Sequence, residues 1–405
     1  MFTSEYKNMA TYVFFNISAY GHVNPTLPIV AELSRRGHKI YYFIGESFTG
    51  AVQKAGGIPV TLSGTLRSQN TPPPGDKEIA LLPFLMARES PRIVPEIVEK
   101  LKSIRPDCIV FNTMLLAARL AARILRLPAI GFRPFHSPRQ SQKIIETFTA
   151  PNFKLLAHTA NKAFAEVTTL YQIPDLTLQE LFSEVPGLTL VFLPKIFQVN
   201  AAQFDERFLF VGPSFMEQPP VPWPIAQSSK SPAIRIYISL GTLRNNEPDF
   251  YRMCFSAFSA PGWSVVMSVG DQVDLHTLEP IPDNFDVRRS VPQTALLPHV
   301  DVFVTHGGLN STMESLYYGV PLVVLPSIKE QVTTAERIRD LHLGLILDRT
   351  EFTAEALREA VTIVFQSESI RYSVHNIKDT IHSAGGYLRA TDAIVAFQQE
   401  VLPPC

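Results

Sequence analysis

Residues 304–314 read VTHGGLNSTME and run from a predicted strand end through two glycines into a predicted helix start. Glycines let the backbone come close to a phosphate, and the N–H groups at a helix N-terminus stabilise its negative charge. His306, Asn310 and Ser311 add side-chain hydrogen-bond donors. The carboxylate of Glu314, one turn into the helix, is suited to accept hydrogen bonds from ribose hydroxyls. The segment has the geometry of an anion-binding site, although an ordinary glycine-rich turn matches the same short pattern.

His22 lies in a second segment with possible chemistry, residues 18–25 (SAYGHVNP), which follows the first predicted strand. Ligands bind at the carboxyl ends of strands in open α/β sheets, and an imidazole with a pKa near neutral is suited to act as a general base. A single histidine in a loop is more often structural. On the residues alone, both interpretations stay open.

Metal and disulfide chemistry have little support in the sequence. It contains no Asp-x-Asp pair that would hold a divalent cation against a diphosphate, and Cys108, Cys254 and Cys405 are far apart. We therefore expect no metal and no other bound cofactor. The cysteine usage suits a reducing compartment, and residues 1–10 lack the apolar stretch of a secretory signal, so a cytoplasmic protein is expected.

The elements that position these segments follow an alternating strand and helix pattern, which predicts parallel sheets covered by helices. The predicted strands lie at residues 11–17, 39–44, 58–62, 107–111, 128–132, 233–240, 263–269, 301–305 and 321–325. Six prolines interrupt the pattern between residues 212 and 232, as expected of a semi-rigid linker. The predicted organisation is a first domain at 1–212, a linker at 213–232, a second domain at 233–386 and a last helix at 387–405 that packs back on the first domain.

The composition excludes several classes of partner. Lys and Arg number 36 against 37 Asp and Glu, a net charge of −1, which removes the electrostatic basis for binding nucleic acid or an anionic membrane. Although 46% of the residues are hydrophobic, no run of 18 or more apolar residues is present that would span a bilayer. The partner is therefore not expected to be a polyanion.

Beyond single motifs, the chain resembles the UDP-glycosyltransferase superfamily, and most closely its microbial macrolide-glycosyltransferase-like branch. The resemblance extends over residues 13–396. It is carried by SLGT at 239–242, SRRGH at 34–38 and a nucleotide-sugar signature that appears as Val291, Pro292, Gln293, His306, Gly307, Gly308, Asn310, Ser311, Glu314, Glu330 and Gln331. A combination of this length is far more specific than a lone His-Gly-Gly.

The resemblance implies an α/β GT-B fold, in which two doubly wound Rossmann-like domains face each other across a cleft. It also assigns roles in the nucleotide-sugar site. Val291 and Gln293 would hold the uracil edge, and Glu314 the ribose. Thr242, His306, Asn310 and Ser311 would meet the diphosphate. Ser239, Gly241 and Gly308 would also belong to the nucleotide-sugar site. Glu330 and Gln331 would bind the sugar hydroxyls, although composition alone favours a solvated polar pair at a helix start.

On the acceptor side, the resemblance makes His22 the residue that takes the proton from the acceptor hydroxyl. The family usually has an aspartate that orients this histidine, whereas this chain has Asn112. Asn112 is expected to accept a hydrogen bond from the far nitrogen of His22 but to supply no charge to the imidazolium. An apolar acceptor cavity is expected to include Phe84, Phe132, Phe135 and His136, although any one of these side chains may equally belong to the core.

The function implied is a metal-independent, inverting glucosyltransferase that transfers glucose from UDP-glucose to a hydroxyl of a lipophilic small molecule, giving a β-glycoside. Phenolic, polyketide, macrolide and terpenoid acceptors all fit. Two alternatives stay open at this point. One is a donor-binding paralogue with impaired catalysis, which the Asn112 substitution suggests, and the other is a nucleotide-sugar epimerase or hydrolase on the same fold.

Overall fold

The computed structural model describes residues 9–63, 76–136, 153–173, 176–224, 234–242, 245–350 and 353–401. The chain divides into two compact units. Unit 1 consists of Met1–Phe215 together with Ala384–Cys405, and unit 2 is Met216–Ser383. Residues 225–232 of the predicted linker lie outside the described residues. No helix within the described ranges is both long and apolar enough to cross a membrane.

Unit 1 contains a parallel sheet of seven strands in the order β3-β2-β1-β4-β5-β6-β7. The strands are β1 (Thr11–Phe15), β2 (Lys39–Phe43), β3 (Ile58–Val60), β4 (Cys108–Asn112), β5 (Ala129–Arg133), β6 (Leu188–Val191) and β7 (Phe208–Phe210). The helices before the linker are α1 (Tyr20–Val23), α2 (Leu27–Arg35), α3 (Thr49–Lys54), α4 (Asp76–Ile104), α5 (Leu116–Leu125), α6 (Lys154–Leu170) and α7 (Leu178–Ser183).

The central strand β1 is buried on both faces. Val13 and Phe15 join the core under α4, α5 and α6, whereas Tyr12 and Phe14 join a second core on the opposite face. A strand covered by helices on both sides has no polar face, which is why its sequence is a continuous apolar run and does not alternate.

Unit 2 contains a parallel sheet of six strands in the order β10-β9-β8-β11-β12-β13. The strands are β8 (Ile234–Ser239), β9 (Trp263–Ser268), β10 (Phe285–Arg288), β11 (Val302–Thr305), β12 (Leu322–Val324) and β13 (Gly344–Ile346). The helices are α8 (Pro248–Phe258), α9 (Gln293–Leu296), α10 (Leu309–Tyr318), α11 (Lys329–Asp340), α12 (Ala354–Gln366) and α13 (Glu368–Ser383).

The last helix, α14 (Gly386–Val401), belongs to unit 1. Ala390 and Ile394 are buried in the core that contains Phe14, and Asp392 forms an ion pair of 2.7 Å with Arg36, just beyond α2. The chain therefore returns to its first unit after completing the second.

Both sheets reverse their strand order at one point, between β1 and β4 in unit 1 and between β8 and β11 in unit 2. Loops leaving the carboxyl ends of these neighbouring strands turn to opposite faces and leave a crevice, the usual ligand site of open α/β sheets. Each predicted chemical segment lies at one of these two points.

Candidate active site

His306 follows β11 and is held between two glycines. A Cβ atom added at Gly308 would lie 2.4 Å from its Nε2 atom, and one added at Gly241 would lie 2.6 Å from its Cε1 atom. Gly241 also has a φ of +79°, in the left-handed region that glycine adopts without strain. The imidazole ring of His306 thus packs against the loop after β8 and the loop after β11. A side chain at Gly241 or Gly308 would overlap this ring.

The N-terminus of α10 begins directly after this ring. Gly308 is the N-cap residue, and Asn310 and Ser311 occupy the first turn with partly exposed side chains. Ser239, at the end of β8, accepts a hydrogen bond from the Gly241 N–H at 3.3 Å. Backbone N–H groups of a first helical turn have no partner within the helix, so this end of the unit 2 sheet presents donors suited to an anion.

His306 itself is a neutral donor. Desolvation, followed by the nearby Arg349 guanidinium, lowers its pKa to about 4. A neutral imidazole keeps one N–H group, which can donate to a phosphate oxygen without carrying a full charge.

Glu314, one turn into α10, is paired with the predicted uracil-binding residue Gln293. The Gln293 side-chain nitrogen donates to Oε2 of Glu314 at 2.5 Å, and the Tyr237 hydroxyl donates to the Gln293 oxygen at 3.3 Å. Desolvation raises the pKa of Glu314 to about 7. The predicted base-binding and ribose-binding side chains are therefore adjacent and oriented by one another.

Gln331 and Glu330 lie in the first turn of α11. The Gln331 oxygen accepts hydrogen bonds from the backbone N–H of Ser327 at 2.8 Å and from its hydroxyl at 2.9 Å. Both lone pairs of that oxygen are thus engaged, so the amide presents its N–H₂ group as the remaining function. Glu330 and Thr242 have exposed side chains, and Val291 is partly exposed.

In unit 1, His22 and Asn112 come together although 90 residues separate them. The Asn112 side-chain nitrogen lies 2.8 Å from Nδ1 of His22. It also donates to the side-chain oxygen of Asn16 at 3.1 Å, while the Asn112 oxygen accepts from the Met114 N–H at 3.1 Å. The expectation that Asn112 accepts a hydrogen bond from His22 is wrong, because an amide nitrogen can only donate.

Further contacts fix the loop that carries His22. The Asn16 side-chain nitrogen donates to the His22 carbonyl and to the Tyr42 hydroxyl, each at 2.8 Å. The Tyr42 hydroxyl lies 2.6 Å from that of Thr26, which donates to the Val23 carbonyl at 2.7 Å. Desolvation lowers the pKa of His22 to about 4, so the imidazole is neutral at neutral pH.

Comparison with known proteins identifies the family of the chain. Residues 263–385 match the family described as "Erythromycin biosynthesis protein CIII-like, C-terminal domain". The chain is 38% identical to the NDP-glycosyltransferase YjiC of Bacillus subtilis, over 96% of this chain and 97% of that protein. The chain belongs to the UDP-glycosyltransferase superfamily.

Two further similarities also cover more than nine-tenths of the chain. The glycosyltransferase is 30% identical to the uncharacterized UDP-glucosyltransferase YdhE of Bacillus subtilis, over 92% of this chain and 94% of that one. The crystal structure of CalG4, the calicheamicin glycosyltransferase, matches with a TM-score of 0.82 and 30% identity, over 98% of this chain and all of that one. The two Rossmann-like units are those of a GT-B glycosyltransferase.

The predicted acceptor residues of the glycosyltransferase have different surroundings. The Phe135 ring lies beside His22, with centroids 6.1 Å apart. His136 is buried and stacks on Phe197, and Phe84 lines a small cavity of ≈ 130 Å³ between α4 and α6. The prediction for Phe132 is wrong, because it is 0% exposed and stacks on Phe192 within the core of unit 1.

Three positioning residues are not predicted by the sequence: Asn16, Tyr42 and Ser327. Asn16 lies inside the predicted strand at residues 11–17, and its polarity within the run TYVFFNI is the available signal. Tyr42 and Ser327 had no comparable signal, because their partners are distant in sequence or lie a helical turn away. Among the residues that the structure describes, no group of three His, Cys, Asp or Glu side chains is placed to hold a metal ion.

Proposed function

We propose that this glycosyltransferase transfers glucose from UDP-glucose to a hydroxyl of a lipophilic small molecule, with inversion at the anomeric carbon. The main support for UDP-glucose as the sugar donor is the site in unit 2, where His306 packs between Gly241 and Gly308 at the start of α10. Its donors suit a diphosphate, and the adjacent Gln293–Glu314 pair suits a pyrimidine edge and a ribose diol.

In this proposal the donors act without a metal. When the bond between the anomeric carbon and the diphosphate breaks, negative charge develops on the β-phosphate oxygen. The first-turn N–H groups of α10 and the N–H of His306 stabilise that charge, and they are in place before the reaction begins. Glu330 and the Gln331 N–H₂ group bind sugar hydroxyls, and attack from the opposite face gives a β-glycoside.

On the acceptor side, we assign His22 to the nucleophilic oxygen and Phe135 to the apolar surface beside it. The ring contact between these two residues supports an aromatic or otherwise lipophilic acceptor. Phenolic, polyketide, macrolide and terpenoid hydroxyls all belong to this class. We further propose a cytoplasmic location, because Cys108 and Cys254 are buried free thiols that suit a reducing compartment.

The test is a screen of acceptors from these four classes with UDP-glucose, read by the mass increase of one hexose and by the anomeric proton coupling of the product. We expect a β-glucoside, with a rate that EDTA does not change. A chelator-sensitive rate or an α-linked product contradicts the mechanism. Repeating the screen with TDP-glucose tests the choice of nucleotide.

A second candidate is a donor-binding paralogue with impaired catalysis, which the amide at Asn112 favours. It predicts tight UDP binding in calorimetry but no glycoside with any acceptor class. Release of UDP in the absence of acceptor would instead indicate a hydrolase.

A further inference from the structure

We propose that His22 holds its proton on Nε2 and acts as a hydrogen-bond donor, so that the enzyme selects acceptors whose nucleophilic oxygen is already an anion, such as acidic phenols and enols. This inference rests on the transfer reaction proposed above and narrows its acceptor class. It follows from the two side-chain amides behind the imidazole.

The amide of Asn16 has one possible orientation. Its oxygen accepts from the backbone N–H of Ile17 at 2.8 Å, and its nitrogen donates to the backbone carbonyl of His22 at 2.8 Å. Backbone N–H groups only donate and carbonyls only accept. Exchanging the oxygen and nitrogen of Asn16 would therefore break both bonds.

The orientation of Asn16 then fixes that of Asn112. The Asn112 oxygen faces the N–H of Met114, and its nitrogen faces the Asn16 oxygen. In the opposite orientation, two oxygens would face each other at 3.1 Å and two N–H groups would face each other at Met114. The Asn112 nitrogen therefore directs one hydrogen at Asn16 and its other hydrogen at Nδ1 of His22, 2.8 Å away.

A donor at this distance requires Nδ1 of His22 to be an acceptor. The neutral Nδ1–H tautomer and the imidazolium would both place an N–H against the Asn112 N–H₂ group, so the proton resides on Nε2. The other titratable group of the network is Tyr42, whose pKa burial raises to about 12, so it contributes no charge near neutral pH. His22 thus presents an N–H and not a lone pair at Nε2.

This arrangement changes which acceptors can react. A phenolate oxygen has three lone pairs: one accepts from the His22 Nε2–H, and another attacks the anomeric carbon. The bond from that carbon to UDP breaks, and its electron pair stays on the β-phosphate oxygen. The acceptor has lost its proton to water before binding, so His22 neither gains nor loses a proton. An aliphatic alcohol keeps its proton at neutral pH and finds no base at Nε2.

The replacement of a carboxylate by an amide behind a catalytic histidine has a known magnitude in serine proteases. There it keeps the geometry, imposes the wrong tautomer and lowers kcat about 10⁴-fold. General-base assistance as a whole contributes about 10²–10⁴-fold. The same range is expected between this chain and its Asn112→Asp variant for an acceptor that needs a base.

The first measurement reads the tautomer without any substrate. Long-range ¹H–¹⁵N spectra of protein labelled with ¹⁵N-histidine distinguish protonated from unprotonated ring nitrogens, and the His22→Gln variant identifies the His22 signals. We expect a protonated Nε2 in the wild type and a protonated Nδ1 in Asn112→Asp. In Asn112→Ala, which removes the donor without adding charge, we expect a mixture of tautomers. A protonated Nδ1 in the wild type overturns the inference.

The second measurement compares kcat/KM for a nitrophenol, a simple phenol and an aliphatic alcohol as pH is raised. In the wild type we expect the rate with each phenol to follow the ionisation of that phenol. Asn112→Asp should raise kcat/KM for the aliphatic alcohol about 10²–10⁴-fold and for the nitrophenol less than about tenfold. The matched control is Asn24→Asp, which adds the same charge at an exposed position two residues from His22 and should leave acceptor preference unchanged.

Two kinetic outcomes separate the proposals. Equal use of aliphatic alcohol and phenol by the wild type, with one shared pH profile, overturns the acceptor class while the proposed transfer stands. Failure to form any glycoside overturns the proposed function and with it the acceptor class, whereas the tautomer is decided by the spectra alone.

Discussion

The two units have the same strand order at their switch points, but the groups that form the crevice differ between them. In unit 2, glycines surround His306 and leave backbone donors at the start of α10. In unit 1, side-chain hydrogen bonds link Tyr42 to Asn16 and Asn16 to Asn112, and Asn112 contacts Nδ1 of His22. One crevice is built from backbone N–H groups for a charged ligand, and the other fixes the protonation of a single side chain. Topology therefore places a site, while the side chains at the strand ends decide its chemistry.

The largest loss of activity is expected from His22→Ala. Its Nε2–H is the proposed contact that binds and orients the nucleophilic oxygen, and loss of that positioning should lower kcat/KM about 10²-fold. The dissociation constant for UDP should stay the same, because the proposed UDP contacts are all in unit 2. Steady-state kinetics with a phenolic acceptor and calorimetry with UDP provide the two values. A parallel loss of UDP affinity would contradict the assignment of the UDP contacts to unit 2 alone.

The next effect concerns the buried carboxyl of unit 2. Glu314 has a pKa of about 7 in the folded protein, against an ordinary value of 4.5, because of desolvation. Between these values the unfolded chain releases the proton and the folded chain keeps it, so stability falls as pH rises, by about 3 kcal/mol in total. Glu314→Gln should remove that contribution in urea denaturation at several pH values. Identical pH dependence in both proteins would contradict the assignment.

A smaller effect is expected from Gly308→Ala. The backbone of Gly308 has φ −62° and ψ 135°, which alanine adopts readily, so the added Cβ acts only through its contact with His306. Displacing that ring should weaken UDP binding about tenfold, and kcat/KM should fall with it, as in His306→Ala. Gly50→Ala is the matched control, since a Cβ there meets nothing within 4 Å. Unchanged UDP affinity in both histidine-site variants would refute the phosphate assignment.

The smallest effect is on sugar choice. In Gln331→His, the oxygen that accepts two hydrogen bonds from Ser327 is lost and the donor is repositioned. We expect the preference for UDP-glucose over UDP-galactose to decrease a few-fold, within the roughly 1–3 kcal/mol available from such contacts. The ratio of kcat/KM for the two donors measures it. An unaltered ratio would move sugar selection to another residue.

The sequence predicted the main strands of both sheets because a strand buried on two faces is an uninterrupted apolar run, as in β1 and β11. It did not predict β6, β7, β10 or β13, which have three or four residues each. Strands this short are stabilised by pairing with neighbouring strands. The sequence also did not show which way Phe132 faces. An aromatic residue beside a predicted cavity has the same sequence pattern whether its ring faces the cavity or the core.

Local pattern and motif spacing are enough to predict the family, the two parallel sheets and the residue types available for chemistry. How those residues act depends on contacts between distant parts of the chain. That Asn112 donates to His22 depends on Asn16, which is 96 residues away from Asn112 in the chain. That a side chain at Gly308 would collide with His306 depends on where the His306 ring packs. Hydrogen-bond direction and close packing are properties of neighbours in space, and local sequence does not contain them.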